Sequence, residues 1–144
     1  RRGYATVSRS TGYGSEKLDL ELMRERNART LLMVQIESAE AVGNAEEIAS
    51  VDGVDMLFVG YADLCQDMGI DPDPRHPRCA EAVEHVGHVL RKTGKPGMFS
   101  VSDPDTIPFY RDMGFSLFLC GIDTILLKRA MERLAASFGI KVRI

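Results

Sequence analysis

Four short apolar runs, separated by helix-like segments, constrain the fold of this chain more than any other feature. They are LLMVQIE (31–37), VDMLFVG (54–60), PGMFSV (96–101) and FSLFLCGI (115–122). Each run is nearly continuous in apolar residues, which is typical of a parallel strand that is covered on both faces. The sequence therefore predicts a parallel sheet.

The segments beside these runs predict helices, and strict strand–helix alternation indicates an α/β fold with right-handed crossovers. The predicted helices cover residues 16–28, 39–51, 77–94, 103–114 and 124–139. The last of them is amphipathic, because Ile125, Leu126, Ala130, Met131, Leu134 and Phe138 recur at helical spacing. It would close the fold.

Two architectures accommodate this alternation. One is a small doubly wound sheet that is complete in itself. The other is the second half of a (β/α)₈ barrel, a fold that typically needs about 250 residues when whole. The chain has 144 residues, and its periodicity does not distinguish between the two. The chain also starts at Arg1 rather than Met, so we expect a piece of a longer protein.

Composition narrows the class of partner. The net charge is -3 and the basic residues are scattered among acids, which does not fit a nucleic-acid binder. No apolar run approaches the roughly 20 residues of a membrane span. Cys65, Cys79 and Cys120 are odd in number and form no CxxC pair, so we expect free thiols in a reducing cytoplasm.

Acidic residues end two successive strands. Glu37 follows the first run and Asp63 follows the second. Ligands gather at the C-terminal ends of strands in both candidate architectures, and neighbouring strands lie about 4.8 Å apart. Both carboxylates could therefore reach one hard divalent ion such as Mg²⁺ or Mn²⁺, which takes oxygen ligands. Acidic residues at strand ends also commonly cap the next helix, and the pattern alone leaves both interpretations open.

A small-acid pocket is predicted beside this ion. Gly60 permits close backbone approach, and Ala62, Asp63 and Leu64 read as the opening of a short helical turn. Free N–H groups there would attract a carboxylate. A metal next to such a pocket suits a 2-oxo acid, since the ion would neutralise the oxyanion that develops when the acid becomes an enolate.

A family resemblance is carried by VQIESAEAVGNAEEIASVDGVDMLFVGYADLCQDMG, followed by HP at 76–77, GKPG at 94–97 and GID at 121–123. The chain resembles the HpcH/HpaI aldolase and citrate lyase family of metal-dependent class II pyruvate aldolases. The resemblance covers nearly the whole chain in order, and Arg2-Gly3 resembles the RG segment that ends the preceding barrel unit. It implies a (β/α)₈ (TIM) barrel, with residues 1–144 supplying about the last four strand–helix units and the closing helix.

The resemblance also implies a reaction and a site. The whole protein would be a lyase that cleaves or forms a carbon–carbon bond between pyruvate and an aldehyde through a metal-bound enolate. Glu37 and Asp63 would hold Mg²⁺, Mn²⁺ or Co²⁺, and Gln35 with the backbone at Ala62 and Asp63 would contact the 2-oxo acid. It further suggests a homo-oligomer with closing helices exchanged or packed between subunits.

Two departures from the family pattern bear on activity. Tyr61 stands where family members usually carry proline, so the family pattern does not determine the rim of the substrate pocket or the choice of substrate. The general-base histidine and the carbonyl-polarising arginine of the family belong to the first half of the barrel, and none of His76, His85 and His88 matches that histidine. We therefore expect no catalytic residue in this chain and no activity from it alone.

Several other residues have simpler interpretations. We interpret His76 as ordering a proline-rich turn, and His85 and His88 as exposed residues of one helix face. Cys65 reads as a passive thiol and Cys120 as a core residue.

Two rival functions remain open. The first keeps the fold and changes the reaction to that of a citrate-synthase-like or citrate-lyase-like enzyme. The second is a non-catalytic receiver-like α/β module, which would need an acidic pair at its first strand end, where this chain has the single Glu37.

Overall fold

The computed structural model describes residues 7–15 and 19–140. Internal contacts divide the chain into two compact units, residues 1–31 and 32–144. The first unit contains a 3-10 turn at Arg9–Gly14 and helix α1 at Leu20–Arg29, which begins after Asp19 accepts a hydrogen bond from Leu22 N. The first predicted helix is confirmed from Leu20 onward, whereas residues 16–18 and the Arg2-Gly3 segment lie outside the described residues.

The second unit is built on a four-stranded parallel sheet whose strands follow chain order. The strands are β1 (Met33–Ile36), β2 (Met56–Val59), β3 (Gly97–Ser100) and β4 (Leu117–Leu119). Each falls inside one of the apolar runs, so the strand predictions are confirmed. Sequential order differs from the 2-1-3-4-5 order of a receiver-like sheet and fits consecutive units of a (β/α)₈ barrel.

In the described part of the second unit, six α-helices accompany these strands. They are α2 (Ala39–Gly43), α3 (Ala45–Ser50), α4 (Tyr61–Asp67), α5 (Pro77–Thr93), α6 (Ile107–Asp112) and α7 (Asp123–Ser137). The single helix predicted over 39–51 is two helices, because Asn44 leaves helical geometry at φ -96° and ψ 7°. The short turn expected at 62–64 extends over two turns as α4.

The core lies between the helices and one face of the sheet. Alternate strand residues are buried there, as Leu57 and Val59 are in β2 and Phe99 is in β3. Helix α5 packs closely against β3 and against the end of α6, because a glycine replaces a larger residue at each contact. A Cβ at Gly97 would lie 2.1 Å from Leu90 Cδ1, and a Cβ at Gly87 would lie 2.4 Å from the carbonyl oxygen of Met113.

The other face of the sheet is open in the described chain. Met33, Leu117 and Leu119 are 40%, 45% and 40% exposed, respectively. Helix α7 has no buried residue, and Cys120 is exposed rather than part of the core, so the interpretation of Cys120 as a core residue is wrong. The expectation of strands covered on both faces holds for one face within the described residues. Among those residues, no helix combines the length and apolarity needed to cross a membrane.

Candidate metal and substrate site

Glu37 directly follows β1, and its neighbour two residues earlier holds its carboxylate. The Gln35 amide donates from Nε2 to Glu37 Oε2 over 3.2 Å. Both side chains are exposed. Gln35 shares the open face of the sheet with Met33, since alternate strand residues point the same way. The predicted metal ligand and the predicted substrate contact on β1 therefore lie together.

Gly60 forms the floor beneath these two side chains. It follows β2, and its N–H donates to the Ile36 carbonyl over 3.1 Å. A Cβ at Gly60 would lie 3.1 Å from Glu37 Oε2 and 3.4 Å from Gln35 Nε2. The missing side chain thus lets Glu37 and Gln35 extend across the end of β2, which is the close approach that the sequence predicted for this glycine.

Asp63 and Ala62 lie in the first turn of α4, on an open groove. The groove is lined by Ala62, Asp63, Gln66, Gly69, Ile70, Asp71, Pro72 and His76. Asp63 is exposed, and within residues 7–15 and 19–140 its carboxylate makes no hydrogen bond or ion pair. Neither Gln35 nor Glu37 lines this groove. The structure therefore arranges the predicted residues as two groups, Gln35 with Glu37 and Ala62 with Asp63. Gly60, which lies beneath the first group, is two residues before Ala62 in the chain.

The donor set fits a hard divalent ion that shares its coordination with substrate. In the part of the chain that the structure describes, no three histidine, cysteine, aspartate or glutamate side chains cluster as a metal site. A closed structural zinc site needs four such ligands. Magnesium instead is commonly bound by one or two carboxylates, with water and substrate oxygens completing the shell. Glu37 and Asp63 are carboxylates of the kind that such a site uses, and the structure places them in the two separate groups described above.

A hydrogen bond that the sequence did not predict joins the chain segments that carry the two groups. Asp67, the last residue of α4, accepts through Oδ2 from the backbone N–H of Ala39 over 2.8 Å. Ala39 is the first residue of α2 and lies two positions after Glu37. The available signal was the spacing, since Asp67 follows Asp63 by one helical turn.

Tyr61, the departure from the family pattern, faces a different surface. Its ring packs against Phe99 with centroids 5.8 Å apart, on the helix-covered side of the sheet. It lines a second groove with Arg75, Ser100 and Tyr110, among others, and it does not line the groove of Asp63. Burial raises the pKa of Tyr110 there.

The structure places the three histidines and Cys65 in positions compatible with their simpler interpretations. His76 Nδ1 accepts from Arg78 N over 3.3 Å at the start of α5, which makes it a helix cap. His85 and His88 are exposed on α5. Cys65 is fully buried, as a passive thiol would be.

A protein-family model described as HpcH/HpaI aldolase/citrate lyase matches residues 6–130. Among curated proteins, the chain is 38% identical over 122 residues to a 4-hydroxy-2-oxo-heptane-1,7-dioate aldolase of Salmonella paratyphi C (strain RKS4594). That match covers 84% of this chain and 46% of the relative. A 4-hydroxy-2-oxo-heptane-1,7-dioate aldolase of Escherichia coli (strain SE11) is 37% identical over 119 residues, which are 83% of this chain and 45% of the relative. The chain thus spans somewhat under half the length of these relatives.

Solved structures agree with the sequence matches. An HpcH/HpaI aldolase/citrate lyase family protein from Burkholderia cenocepacia J2315 superposes with a TM-score of 0.82 at 31% identity, over 96% of this chain and 52% of that one. The citrate synthase SbnG superposes with a TM-score of 0.76 at 27% identity, over 88% of this chain and 53% of that one. The fold described above therefore corresponds to about half of these larger proteins.

Proposed function

Because the chain belongs to the HpcH/HpaI aldolase/citrate lyase family, we propose that residues 1–144 form the C-terminal part of a single (β/α)₈ barrel. The open sheet face supports this proposal, since Leu117 and Leu119 would become interior residues once further strands closed the barrel. The sequential strand order supports it as well. Alone, the unit would leave the edges of β1 and β4 unpaired, and unpaired edges favour association with other chains.

We propose that the complete protein is a class II, metal-dependent aldolase. The observation that carries this proposal is the pair Glu37 and Asp63, placed after neighbouring strands in a chain of an aldolase family. These two carboxylates would hold Mg²⁺, Mn²⁺ or Co²⁺. When bound, the divalent ion would stabilise negative charge that develops on the substrate oxygen.

The names of the relatives support a substrate class for the complete protein, since they name a 4-hydroxy-2-oxo acid. Cleavage of such an acid between C3 and C4 gives pyruvate and an aldehyde, and the reverse reaction joins them. In this chain Gln35 and the backbone at Ala62 and Asp63 would position the 2-oxo acid, while Gln35 also orients Glu37. The base that moves the C4 hydroxyl proton is expected outside residues 1–144, so we expect this chain to be inactive by itself.

The decisive experiment replaces one carboxylate oxygen. Glu37→Gln in the complete protein should raise the Mn²⁺ dissociation constant and lower pyruvate–aldehyde aldol activity by more than the roughly 10–100-fold effect of losing an outer-shell partner. Glu84→Gln is the matched control, because Glu84 is exposed on α5 and, among the described residues, its side chain makes no hydrogen bond or ion pair. Undiminished activity and metal affinity in Glu37→Gln would refute the assignment.

A second reaction deserves testing on the same fold, since a citrate synthase is among the similar structures. A citrate-synthase-like or citrate-lyase-like enzyme would use the same carboxylates with a different second substrate. A panel that offers oxaloacetate and acyl donors beside aldehydes separates the two reactions. Turnover only with the acyl donors would replace the aldolase proposal.

We also infer a homo-oligomer and a cytoplasmic location. Apolar side chains of α7, including Leu126, Leu127 and Met131, are more than half exposed in this chain, and packing of α7 between subunits would cover them. Light scattering of the complete protein tests this, and a monomeric mass would contradict it. The free thiols Cys65, Cys79 and Cys120 suit a reducing compartment.

A further inference from the structure

The geometry points to Asp67 as a positioning residue for the metal site, an inference that rests on the proposed function. Among the described residues, the Asp67 side chain makes no hydrogen bond to either proposed ligand. We propose that its bond to the backbone N–H of Ala39 fixes the loop carrying Glu37 onto the helix carrying Asp63, and so sets how the two carboxylates face one ion.

The two proposed ligands belong to separate connections of the chain. Glu37 lies in the loop between β1 and α2, whereas Asp63 lies in the first turn of α4. The sheet fixes the register of β1 and β2 only up to Ile36 and Val59, whose Cα atoms are paired. Beyond those residues, the relative position of the two connections depends on contacts outside the strands.

Asp67 provides such a contact at a short distance along the chain from both ligands. Its Oδ2 accepts from Ala39 N over 2.8 Å. Ala39 lies two residues after Glu37, and Asp67 lies one helical turn after Asp63. Residues four apart lie on one face of a helix. Helix α4 therefore carries both Asp63 and the anchor for the Glu37 loop.

The bond caps α2 with a side chain from a different helix. Ser38 Oγ, the local cap, accepts from Ala41 N over 3.1 Å, which leaves the Ala39 N–H, another donor without a partner inside the helix, for Asp67. A carboxylate at the last residue of α4 is also unfavourably placed for its own helix, whose carbonyl end is negative. What favours Asp67 at this position is the N–H of the other helix.

The bond can be deleted from either side, which gives a stringent test in the complete protein. Asp67→Ala removes the acceptor. Ala39→Pro removes the donor, and proline is well tolerated at the first position of a helix. Ser38, the residue before it, already has the extended backbone that precedes proline, with φ -142° and ψ 158°.

The probe is Mn²⁺ binding to the metal-free protein, measured by calorimetry. We expect each variant to raise the dissociation constant about tenfold, the lower end of the range for lost outer-shell support of a metal ligand. The double variant should be no weaker than the worse single one, because both changes delete the same bond. Asp67→Asn keeps an acceptor and should remain within about threefold of wild type, on the scale of one modest neutral hydrogen bond.

Asp112→Ala is the matched control. Asp112 is likewise an exposed aspartate at the last position of a short helix, α6, and its backbone carbonyl rather than its side chain accepts from Arg91. Its dissociation constant should equal that of wild type.

The outcomes separate the inference from the proposed function. Wild-type protein that binds Mn²⁺ while Asp67→Ala and Ala39→Pro bind equally well overturns the role of Asp67 alone. Wild-type protein that binds no divalent ion overturns the metal site and this inference together. If one variant fails to fold, the other deletes the same bond, and additive losses in a folded double variant also overturn the inference.

Discussion

Leu57 and Leu119 belong to opposite faces of the same sheet and have different surroundings. Leu57 in β2 is fully buried beneath the helices, whereas Leu119 in β4 is 40% exposed. Both are strand leucines, so intrinsic preference does not explain the difference. What differs is whether this chain supplies a layer to cover them.

The two faces of the sheet differ in their roles. The covered face, with Phe99 and Val59 against the helices, holds this unit together through apolar burial. The open face carries Gln35 beside the apolar Met33, and Glu37 follows at the strand end. The proposed chemistry thus lies on the side that this chain leaves uncovered, as expected if further barrel strands complete that side.

The largest expected effect concerns the covered face. Phe99→Ala should lower the free energy of unfolding by about 3–5 kcal/mol, since deletion of a buried aromatic side chain leaves a cavity. Phe99 is fully buried and packs on Tyr110 and Phe115, with centroids 4.2 Å and 5.4 Å away.

The control for this prediction, made in this chain, is Phe138→Ala, because Phe138 is 73% exposed here and its truncation should change the free energy of unfolding by no more than about 0.5 kcal/mol. Urea unfolding of the three proteins measures both values. Equal losses in the two variants would mean that the helix-covered face is not the core.

The sequence predicted the strands well for a physical reason. Apolar continuity reports burial, and runs such as 54–60 and 96–101 each contain one strand of the sheet. The sequence also predicted that Cys120 is a buried core residue, and this prediction is wrong because Cys120 is exposed. An apolar pattern indicates that a residue needs cover, but it does not say which part of a protein provides it.

Only part of the candidate site was predicted from the sequence. The position of Glu37 and Asp63 at strand ends followed from the alternation of strands and helices. The bond from Ala39 to Asp67 did not, because it joins residues 28 apart in the chain, and their approach depends on the tertiary structure. Likewise, the orientation of Tyr61 toward Phe99 depends on the first turn of α4 and not on residue type.

A smaller effect on the covered face is confined to alkaline pH. Burial raises the pKa of Cys79 to about 12, with a further contribution from the neighbouring Cys65. The pKa of an unfolded cysteine is about 8.5. Folding therefore favours the neutral thiol. Its contribution to stability is complete below about pH 8.5 and is lost as the pH rises toward about 12, because the unfolded chain releases the proton first.

Unfolding free energies at several alkaline pH values measure this loss. Cys79→Ala should show a shallower decline than wild type, because the variant lacks the buried thiol. Identical slopes in the two proteins would contradict the buried environment of Cys79.

The smallest expected effect is on the open face, and it tests the comparison most directly. In this chain, Leu119→Ala should lower the free energy of unfolding by only about 1 kcal/mol, because Leu119 is 40% exposed and is therefore only partly buried. Leu57→Ala, the same change on the covered face, should cost about 2–5 kcal/mol. In the complete protein Leu119→Ala should become as costly as Leu57→Ala, because closing the barrel would bury Leu119. If Leu119→Ala costs no more in the complete protein than in this chain, then no further strands cover this face and the half-barrel proposal fails.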